Sequence, residues 1–268
     1  MTNQAVLSHL ITLSAQLVLP TEEKDKIETS VKAIKDKLLA YFADDGLKEV
    51  KPFGSFDRNT LLSRKADSES DVDILIVFDE KKWEAQTYLT KLKKFAEDNY
   101  SRSDNYQDHP TIVIELNHIK FELTPCIFKD ETLFVGAKYL IPKKENSELE
   151  WIKTEPNLIK NKIDEFKETK NTLVDLIIIF KYWNFANKSP YKTFKVENFV
   201  IDKFDYEEGL DYNFFRIIDR LNYLKDTEAQ NDLNRKTKKH KENMELLLEN
   251  NMEEYALMEI QKILPSLT

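Results

Sequence analysis

Glycine, cysteine and long apolar runs are all scarce in this sequence, and the glycine shortage excludes two kinds of nucleotide site. The 268 residues include four glycines, whereas an average usage of about 7% would give roughly 19. No two of them are spaced to form a dinucleotide-binding G-x-G-x-x-G loop or a Walker A loop. If this protein handles phosphates, it must do so without a glycine-rich loop.

The single cysteine, Cys126, cannot form an intramolecular disulfide, which favours a reducing cytoplasm over a disulfide-rich secreted protein. No apolar run reaches the ~18 residues that a membrane span needs, and the first residues lack the basic segment of a signal peptide. The four histidines are scattered, so a zinc site of clustered Cys and His is excluded. We therefore expect a cytoplasmic protein with no membrane segment.

Acidic residues outnumber basic ones by 48 to 40, which gives a net charge of −8. This balance argues against a protein whose main task is to coat a nucleic-acid backbone. One segment, 235–241, holds five Lys or Arg residues and a histidine. A solvated helical face or a loop is the favoured interpretation of this segment, and a nucleic-acid patch is the alternative.

The hydrophobic pattern divides the chain into a helical start, a middle rich in short strands and a helical end beyond Pro142. Strands are predicted over residues 49–53, 72–78, 111–116, 119–124 and 133–140. Helices are predicted over 83–97, 171–185, 214–224 and 243–264, of which 171–185 is apolar enough to be buried. We expect an α+β fold of two lobes: residues 1–145 with a mixed sheet, and a helical lobe over 146–268.

Two aspartates open the strand predicted over residues 72–78. Asp71 and Asp73 are two positions apart, so both side chains project from the same face of the strand. Carboxylates on one face repel each other, whereas a divalent cation such as Mg²⁺ binds carboxylate and phosphate oxygens together. The pattern fits a metal site, and a solvated strand edge is the alternative.

Gly54-Ser55 ends the first predicted strand and precedes a short segment of helical character. A glycine lets a phosphate approach the main chain, and the Ser55 hydroxyl with nearby backbone N–H groups can bind an anion. The pair fits a phosphate-binding turn, and an ordinary strand-to-helix turn is the alternative.

A third acid is expected on a neighbouring strand. Glu122 lies in the largely apolar run 119–125, while Glu115 on the preceding strand is its competitor and could face solvent. We favour Glu122. Three acids on adjacent strands beside a phosphate-binding turn are typical of two-metal phosphoryl or nucleotidyl transfer.

Gly54-Ser55, then Asp71-x-Asp73, then Glu122 on a later strand resemble the motifs of the polymerase-β-like nucleotidyltransferase superfamily. The downstream sequence is similar to the bacterial cGAS/DncV-like nucleotidyltransferases, the CD-NTases of anti-phage signalling. The segments that carry this second similarity are 141–142, 151–156, 179–184, 189–191 and 197–199. The resemblance covers residues 45–200 and implies a two-lobed polymerase-β-like fold, with a mixed-sheet catalytic lobe and a helical lobe.

The resemblance also implies roles for individual residues. Asp71, Asp73 and Glu122 are expected to be catalytic and to hold two Mg²⁺ ions, for which Mn²⁺ could substitute, with Glu122 beside the attacking ribose hydroxyl. Gly54 and Ser55 are expected to bind the donor triphosphate.

Five further residues are implied to bind nucleotide. Arg58 and Thr60 are expected near the triphosphate, and Lys181 of the helical lobe is expected to reach it, with a solvent-facing lysine as the alternative. Ser189 is expected to face a phosphate and Tyr191 a base, with a surface turn as the alternative for both.

The sequence departs from the family pattern in four respects. Fifteen residues separate Ser55 from Asp71, which is longer than the common spacing, and the third acid is Glu where Asp is frequent. Asn59 replaces the glycine often found after the loop arginine, and Pro190 splits the Ser-Tyr pair. None of these departures removes a metal ligand, so an active enzyme is expected.

The implied activity is the synthesis of a cyclic di- or oligonucleotide second messenger from NTPs, with release of pyrophosphate, in anti-phage signalling of the CBASS type. The acidic composition suggests that no nucleic-acid activator is required, and regulatory or effector proteins of the same operon are expected as partners. One alternative is nucleotidyl transfer to tRNA, RNA, an antibiotic or a protein. A nucleotide-binding protein without activity is a third hypothesis, against which the three acids argue.

Overall fold

A computed structural model describes residues 4–79, 82–108, 110–129, 138–145 and 148–267. The chain forms two compact units. Unit 1 comprises Met1–Val18, Leu62–Ser68 and Ile159–Thr268, and unit 2 comprises Leu19–Leu61 and Glu69–Leu158. The predicted lobes are continuous segments, whereas these units interleave along the chain, and the first helix is grouped with the C-terminal helices.

Unit 2 is built on a mixed sheet, which has seven strands among the described residues. They are β1 (Leu47–Pro52), β2 (Asp71–Phe78), β3 (Asp104–Asp108), β4 (Thr111–Glu115), β5 (Lys120–Lys129), β6 (Lys138–Glu145) and β7 (Glu148–Thr154). Five of them follow the order β1-β2-β5-β4-β3, while β6 pairs with β5 and β7. The β2–β5 pair is parallel and the other pairs are antiparallel.

One face of this sheet packs against two amphipathic helices, α2 (Thr21–Tyr41) and α4 (Ala85–Asn99). Alternate residues of the two central strands enter this core, because successive side chains of a strand point to opposite faces. The strand residues buried there include Val72, Ile74, Ile76, Phe121 and Leu123. The same alternation directs the polar residues that begin β2 and β5 to the opposite face. A third helix of unit 2, α3 (Gly54–Asp57), has a single turn.

Unit 1 is helical. Its helices are α1 (Gln4–Leu17), α5 (Leu158–Asp164), α6 (Lys170–Ala186), α7 (Thr193–Lys203), α8 (Leu210–Arg220), α9 (Glu228–Glu249) and α10 (Glu253–Ile263). Every residue of α6 from 176 to 184 is buried, which confirms the predicted buried helix. None of the helices in the described ranges is long and apolar enough to cross a membrane.

The single helix predicted over residues 243–264 is wrong, because two helices share this region. The helix α9 ends at Glu249, Asn251 adopts a left-handed φ of 58°, and α10 begins at Glu253. Asparagine tolerates this conformation better than most residues, so the break has a local cause. The helix α9 also starts well before the predicted one, where Thr227 and Gln230 form a capping box.

The basic segment 235–241 lies within α9, and Arg235, His240 and Lys241 already have acidic partners. Arg235 pairs with Asp232, His240 lies 2.7 Å from Glu259, and Lys241 lies 3.0 Å from Asp219 and 2.8 Å from Glu245. These pairs agree with the favoured interpretation of a helical face. They remove part of the positive charge that a nucleic-acid patch would need.

Two strands were not predicted from the sequence, and the expectation of helix directly beyond Pro142 is wrong. The strand β6 continues to Glu145 and β7 follows it. The first residues of the predicted strand 133–140 lie outside the described part of the chain. The other unpredicted strand, β3, reads Asp-Asn-Tyr-Gln-Asp and ends the path β1-β2-β5-β4-β3. Its polar residues have low strand propensity, so the pairing with β4 determines its conformation.

We expect Cys126 to be inert toward thiol reagents in the folded protein. The residue is fully buried in β5 against Leu75 and Val77, and this burial raises the pKa of its thiol to about 12. A thiol reacts as its thiolate, so Cys126 lacks both the solvent exposure and the ionisation that this reaction needs. Titration with a disulfide reagent should give negligible reaction in buffer and one thiol per chain in guanidinium chloride. Stoichiometric reaction within minutes in buffer would contradict this burial.

Candidate active site

The parallel pairing of β2 and β5 brings three carboxylates to the same end of one sheet face. Asp71 and Asp73 begin β2, and Asp73 lies directly opposite Glu122 of β5. Val72 between the aspartates is fully buried in the core, whereas both aspartates are partly exposed. The three acids therefore project away from the helix-covered core.

Glu122 is the most perturbed of these acids. Burial, followed by the charges of Asp71 and Asp108, raises the pKa of the Glu122 carboxyl to about 7. The Glu122 side chain also forms a hydrogen bond with Asp71, and the Thr111 hydroxyl lies 3.4 Å from Glu122 Oε2. Negative charge thus accumulates where water screens it poorly, a condition in which a bound cation is stabilising.

The donor chemistry of this site fits Mg²⁺, which prefers carboxylate oxygens together with those of a substrate phosphate. Asp71, Asp73 and Glu122 are the residues that would hold it. Within the described ranges, no three His, Cys, Asp or Glu side chains already converge into a metal site. What supports the fit is therefore the type of donor and the accumulated negative charge.

Gly54 lies directly against Asp73. A Cβ atom placed on Gly54 would be 1.9 Å from Asp73 Oδ2, and its φ of +69° is a conformation that glycine adopts readily. The N–H of Phe53 donates a hydrogen bond of 3.0 Å to the carbonyl of Asp73. The turn after β1 therefore contacts both the main chain and the side chain of Asp73. The predicted phosphate-binding turn and the predicted metal ligand are thus adjacent.

Residues 55–60 fold this turn back on itself. The N–H of Thr60 donates to the carbonyl of Ser55 at 2.9 Å, and Thr60 is fully buried, which gives it a structural role in the loop. Asn59 adopts a left-handed φ of 57°. This explains the departure noted above, because asparagine is among the few residues that replace glycine at such a position. Ser55 and Arg58 are partly exposed on the same turn.

Glu115 has a different environment from Glu122. It lies opposite Lys120 rather than opposite an aspartate, and its Oε1 accepts a 2.7 Å hydrogen bond from Tyr106. Of the two competitors, only Glu122 is brought to Asp71 and Asp73 by the register of the sheet. The geometry therefore supports the choice of Glu122.

Lys181 lies in unit 1 and is not the solvent-facing lysine that was its alternative. Its residue is 8% exposed, and its Nζ lies 3.4 Å from Oε1 of the fully buried Glu197. Pairing offsets the cost of burying each charge. Its predicted contact with a triphosphate stays a prediction.

Ser189 and Tyr191 differ sharply in exposure. Ser189 is exposed with a φ of 49°, as expected of a turn. Tyr191 is 2% exposed, its ring stacks on Trp183, and its hydroxyl donates to Asn234 at 2.7 Å. A ring so enclosed cannot contact a base without displacing its neighbours. The structure thus places Tyr191 in the core of unit 1, which does not support the predicted role.

Residues 2–167 match the sequence model of the Second Messenger Oligonucleotide or Dinucleotide Synthetase (SMODS) domain family. This chain belongs to that family. The match covers more than half of the chain and includes β2, β5 and the Gly54-Ser55 turn. It confirms the predicted resemblance to the CD-NTases.

A curated relative of this SMODS protein is the "probable cyclic nucleotide synthase IK1_05630" of Bacillus cereus (strain VD146). The two are 24% identical over 195 residues, which is 59% of this chain and 56% of the relative. The chain thus spans little more than half the length of that protein.

Solved structures share the fold of this SMODS protein. The Escherichia coli MS115-1 CdnC in its complex with HORMA-deltaN has a TM-score of 0.73 at 13% identity and 99% coverage of both chains. Vibrio cholerae DncV cyclic AMP-GMP synthase, bound to a linear intermediate, has a TM-score of 0.74 at 11% identity, covering 95% of this chain and 93% of that one. These similarities confirm the predicted two-lobed α+β fold class.

Thr111 of this SMODS protein lies at the candidate site but is not among the predicted site residues. Its hydroxyl lies 2.8 Å from the carbonyl of Asp108 and 3.4 Å from Glu122 Oε2. A signal was available, because Thr111 is a polar residue directly before the apolar run 112–114 of β4. Thr111 is two positions before Val113 and therefore shares its strand face. Because Val113 lies opposite Glu122, Thr111 and Glu122 are on the same face of the sheet.

Proposed function

We propose that this SMODS protein is a nucleotidyltransferase that makes a cyclic di- or oligonucleotide from NTPs and releases pyrophosphate. Family membership supports the class of reaction. The observation that carries the proposal is the adjacency of Asp73 to both Glu122 and Gly54, which places two acids beside a turn suited to phosphate. A second messenger made this way would act in anti-phage signalling of the CBASS type.

Each bond formed joins a ribose hydroxyl oxygen to the α-phosphorus of the next nucleotide, and the bond from that phosphorus to pyrophosphate breaks. The hydroxyl proton leaves to a nearby carboxylate or to water. We assign Glu122 to orient the attacking hydroxyl, and Gly54 and Ser55 to bind the donor triphosphate. The turn and the acids lie at the same end of the sheet, so one bound nucleotide would contact both.

Magnesium is the proposed cofactor, with manganese as a substitute. When bound, it would activate the attacking hydroxyl and neutralise the leaving pyrophosphate. Asp71, Asp73 and Glu122 would hold it. The environment of Glu122 supports this assignment, because burial and the charges of Asp71 and Asp108 raise the pKa of its carboxyl, and a bound cation would offset both effects.

Purified protein incubated with all four labelled NTPs and Mg²⁺, without any polymer, should convert them into small products that resist phosphatase. Cyclic products have no terminal phosphate, which is why they survive this treatment. Thin-layer chromatography and mass spectrometry would detect them. The proposal fails if label enters product only after RNA, an antibiotic or a protein is added, because that outcome identifies nucleotidyl transfer to an acceptor.

We also propose that protein partners regulate or respond to this activity. The support is that the E. coli CdnC with the same fold was solved in a complex with HORMA-deltaN. The net charge of −8 and the paired cations of α9 favour protein partners over a nucleic-acid activator. We further propose that the protein acts in the cytoplasm, where its NTP substrates are made.

A further inference from the structure

The cross-strand row that contains Asp73 and Glu122 continues onto the edge strand β3. Glu122 lies opposite Val113 of β4, and Val113 lies opposite Tyr106 of β3. Directly opposite residues share one face of a sheet, so Tyr106 lies on the face that carries the acids. Val113 is 2% exposed and offers a ligand almost no surface, whereas Tyr106 is 39% exposed. Tyr106 is therefore the accessible side chain of this row beyond Glu122.

The ring of Tyr106 has an environment that differs from that of the other tyrosines in unit 2. Each of the other four packs against an aromatic ring of the same unit: Tyr41, Tyr88, Tyr100 and Tyr139. No such ring contact joins Tyr106 to another aromatic residue in the described part of the chain. Its hydroxyl donates a 2.7 Å hydrogen bond to Glu115 Oε1. The hydroxyl is thus engaged within the protein, while the ring is available for stacking.

The strand order places Tyr106 on the side of the acids away from the phosphate-binding turn. In the order β1-β2-β5-β4-β3, the Gly54-Ser55 turn follows β1, Glu122 lies on the central strand β5, and Tyr106 lies on the last strand. The donor triphosphate is proposed to bind at the turn, and the attacking hydroxyl beside Glu122. The nucleotide that supplies this hydroxyl, the acceptor, can therefore extend from β5 over β4 and β3.

The spacing of the strands suits a nucleoside in this position. Neighbouring strands are about 4.8 Å apart, so the Cα atoms of Glu122 and Tyr106, two strands apart, are separated by about 10 Å. Both side chains project from the same face and lie over this gap. A ribose with its base can bridge the remaining distance, with a ribose hydroxyl at Glu122 and the base at Tyr106.

The charges on β3 favour a base over a phosphate at this position. Asp104 and Asp108 are both exposed and lie two positions on either side of Tyr106, so all three share one strand face. Lys120, on the same face of β5, lies 2.6 Å from Glu69 and is already paired. This acidic surface repels a triphosphate, whereas the base is the uncharged part of a nucleotide.

We propose that Tyr106 is the platform on which the base of the acceptor nucleotide stacks, a role that rests on the proposed nucleotidyltransferase function. Stacking on Tyr106 would hold the ribose hydroxyl beside Glu122 while the donor binds at Gly54-Ser55. Every nucleobase has a π-face, so this contact accepts different bases. Tyr106 would therefore contribute to binding of the acceptor and not of the donor.

A structural role for Tyr106 has different consequences. A ring on an edge strand that only stabilised β3 against β4 would affect the stability of the sheet, and its loss would alter the use of both substrates alike. A stacking platform affects one substrate. The two roles are separable when donor and acceptor are different molecules.

Two NTP analogues provide this separation. A labelled 2′,3′-dideoxy-NTP has no ribose hydroxyl and can only donate, whereas an NTP with a methylene group between the α- and β-phosphorus cannot lose pyrophosphate and can only accept. With Mg²⁺ they should form one linear dinucleotide, and each base is used in turn. Initial rates give a separate KM for each analogue. Tyr106→Leu, which keeps apolar bulk but removes the ring, should raise the acceptor KM about fivefold or more and leave the donor KM unchanged.

Two variants serve as controls, and circular dichroism checks the fold of each. Tyr106→Phe keeps the ring and should retain the acceptor KM. Tyr41→Leu should change neither KM, since Tyr41 is a 37% exposed tyrosine of α2 whose hydroxyl likewise donates to a carboxylate, that of Asp98 at 3.1 Å. An unchanged acceptor KM in Tyr106→Leu, or an equal rise in both KM values, would overturn the proposal. Impairment of Tyr106→Phe as large as that of Tyr106→Leu would also overturn it, because the hydrogen bond to Glu115 would then be responsible.

Failure of the platform and failure of the proposed function give different results. If the unaltered protein forms dinucleotide and Tyr106→Leu uses the acceptor equally well, nucleotidyl transfer stands and the role of Tyr106 is wrong. If the unaltered protein forms no dinucleotide from any analogue pair, nucleotidyl transfer between NTPs fails, and the role of Tyr106 fails with it.

Discussion

We expect replacement of Asp71 and Asp73 together by alanine to lower NTP conversion by at least about a thousandfold. This loss would correspond to the several kcal/mol of charge stabilisation that the proposed metal ions would supply in the transition state. Both side chains face the partly exposed side of β2, so their removal leaves the core residues Val72 and Ile74 in place. Initial rates of label incorporation measure the effect, and circular dichroism with thermal unfolding checks that the variant is folded.

Two controls make this result specific to the site. Asp79→Ala should leave the rate unchanged. It removes an exposed carboxylate that follows β2 and lies 2.8 Å from Lys48 Nζ. Glu122→Gln should lose activity while Glu115→Gln keeps it, because Glu115 instead accepts a hydrogen bond from Tyr106 on the same sheet face. A folded Asp71/Asp73 double variant that retained more than a tenth of the activity would disprove the site assignment.

We expect Gly54→Ala to lower the rate of NTP conversion by about a hundredfold or more and Gly46→Ala to leave it unchanged. Both glycines have a positive φ, of 69° and 75°, so both substitutions introduce similar backbone strain of about 1 kcal/mol. Only the Cβ at position 54 meets another group, Asp73 Oδ2 at 1.9 Å, while nothing lies within 4 Å at position 46. The alanine at position 54 must therefore displace a proposed metal ligand.

The matched pair separates strain from displacement. Urea unfolding should show a modest loss of stability in both variants, with the larger loss in Gly54→Ala. Steady-state rates at increasing Mg²⁺ should show a higher metal requirement in Gly54→Ala alone. Equal activity of the two variants would mean that the close approach of Gly54 to Asp73 has no functional consequence.

Local patterns in the sequence were sufficient to locate much of the fold and the candidate site. The apolar alternation of 72–78 identified β2, and the density of apolar residues in 171–185 identified the buried α6. The acids were found because two carboxylates at a strand start are unusual unless something compensates their charge. Each of these inferences uses residues that are neighbours in the chain.

Features that depend on contacts between different helices and strands were not predictable in this way. The strand β3 is polar and adopts its conformation because it pairs with β4. The burial of Lys181 requires Glu197, which is supplied by another helix. Tyr191 was expected to face a base, with a surface turn as the alternative, yet Trp183 and Asn234 enclose it. A spacing rule cannot reveal which partner a side chain or strand meets on another element of the fold.

The lone cysteine provides the chain with an internal reporter. Cys126 lies four residues after Glu122 on β5, and it is opposite Val77 of β2 in the parallel pair that aligns the carboxylates. The Cys126 thiol is buried on the sheet face beside Leu75 and Val77, so it becomes accessible only when unit 2 opens locally or unfolds. The rate of its labelling therefore measures local opening of the sheet that carries the acids, without any engineered probe.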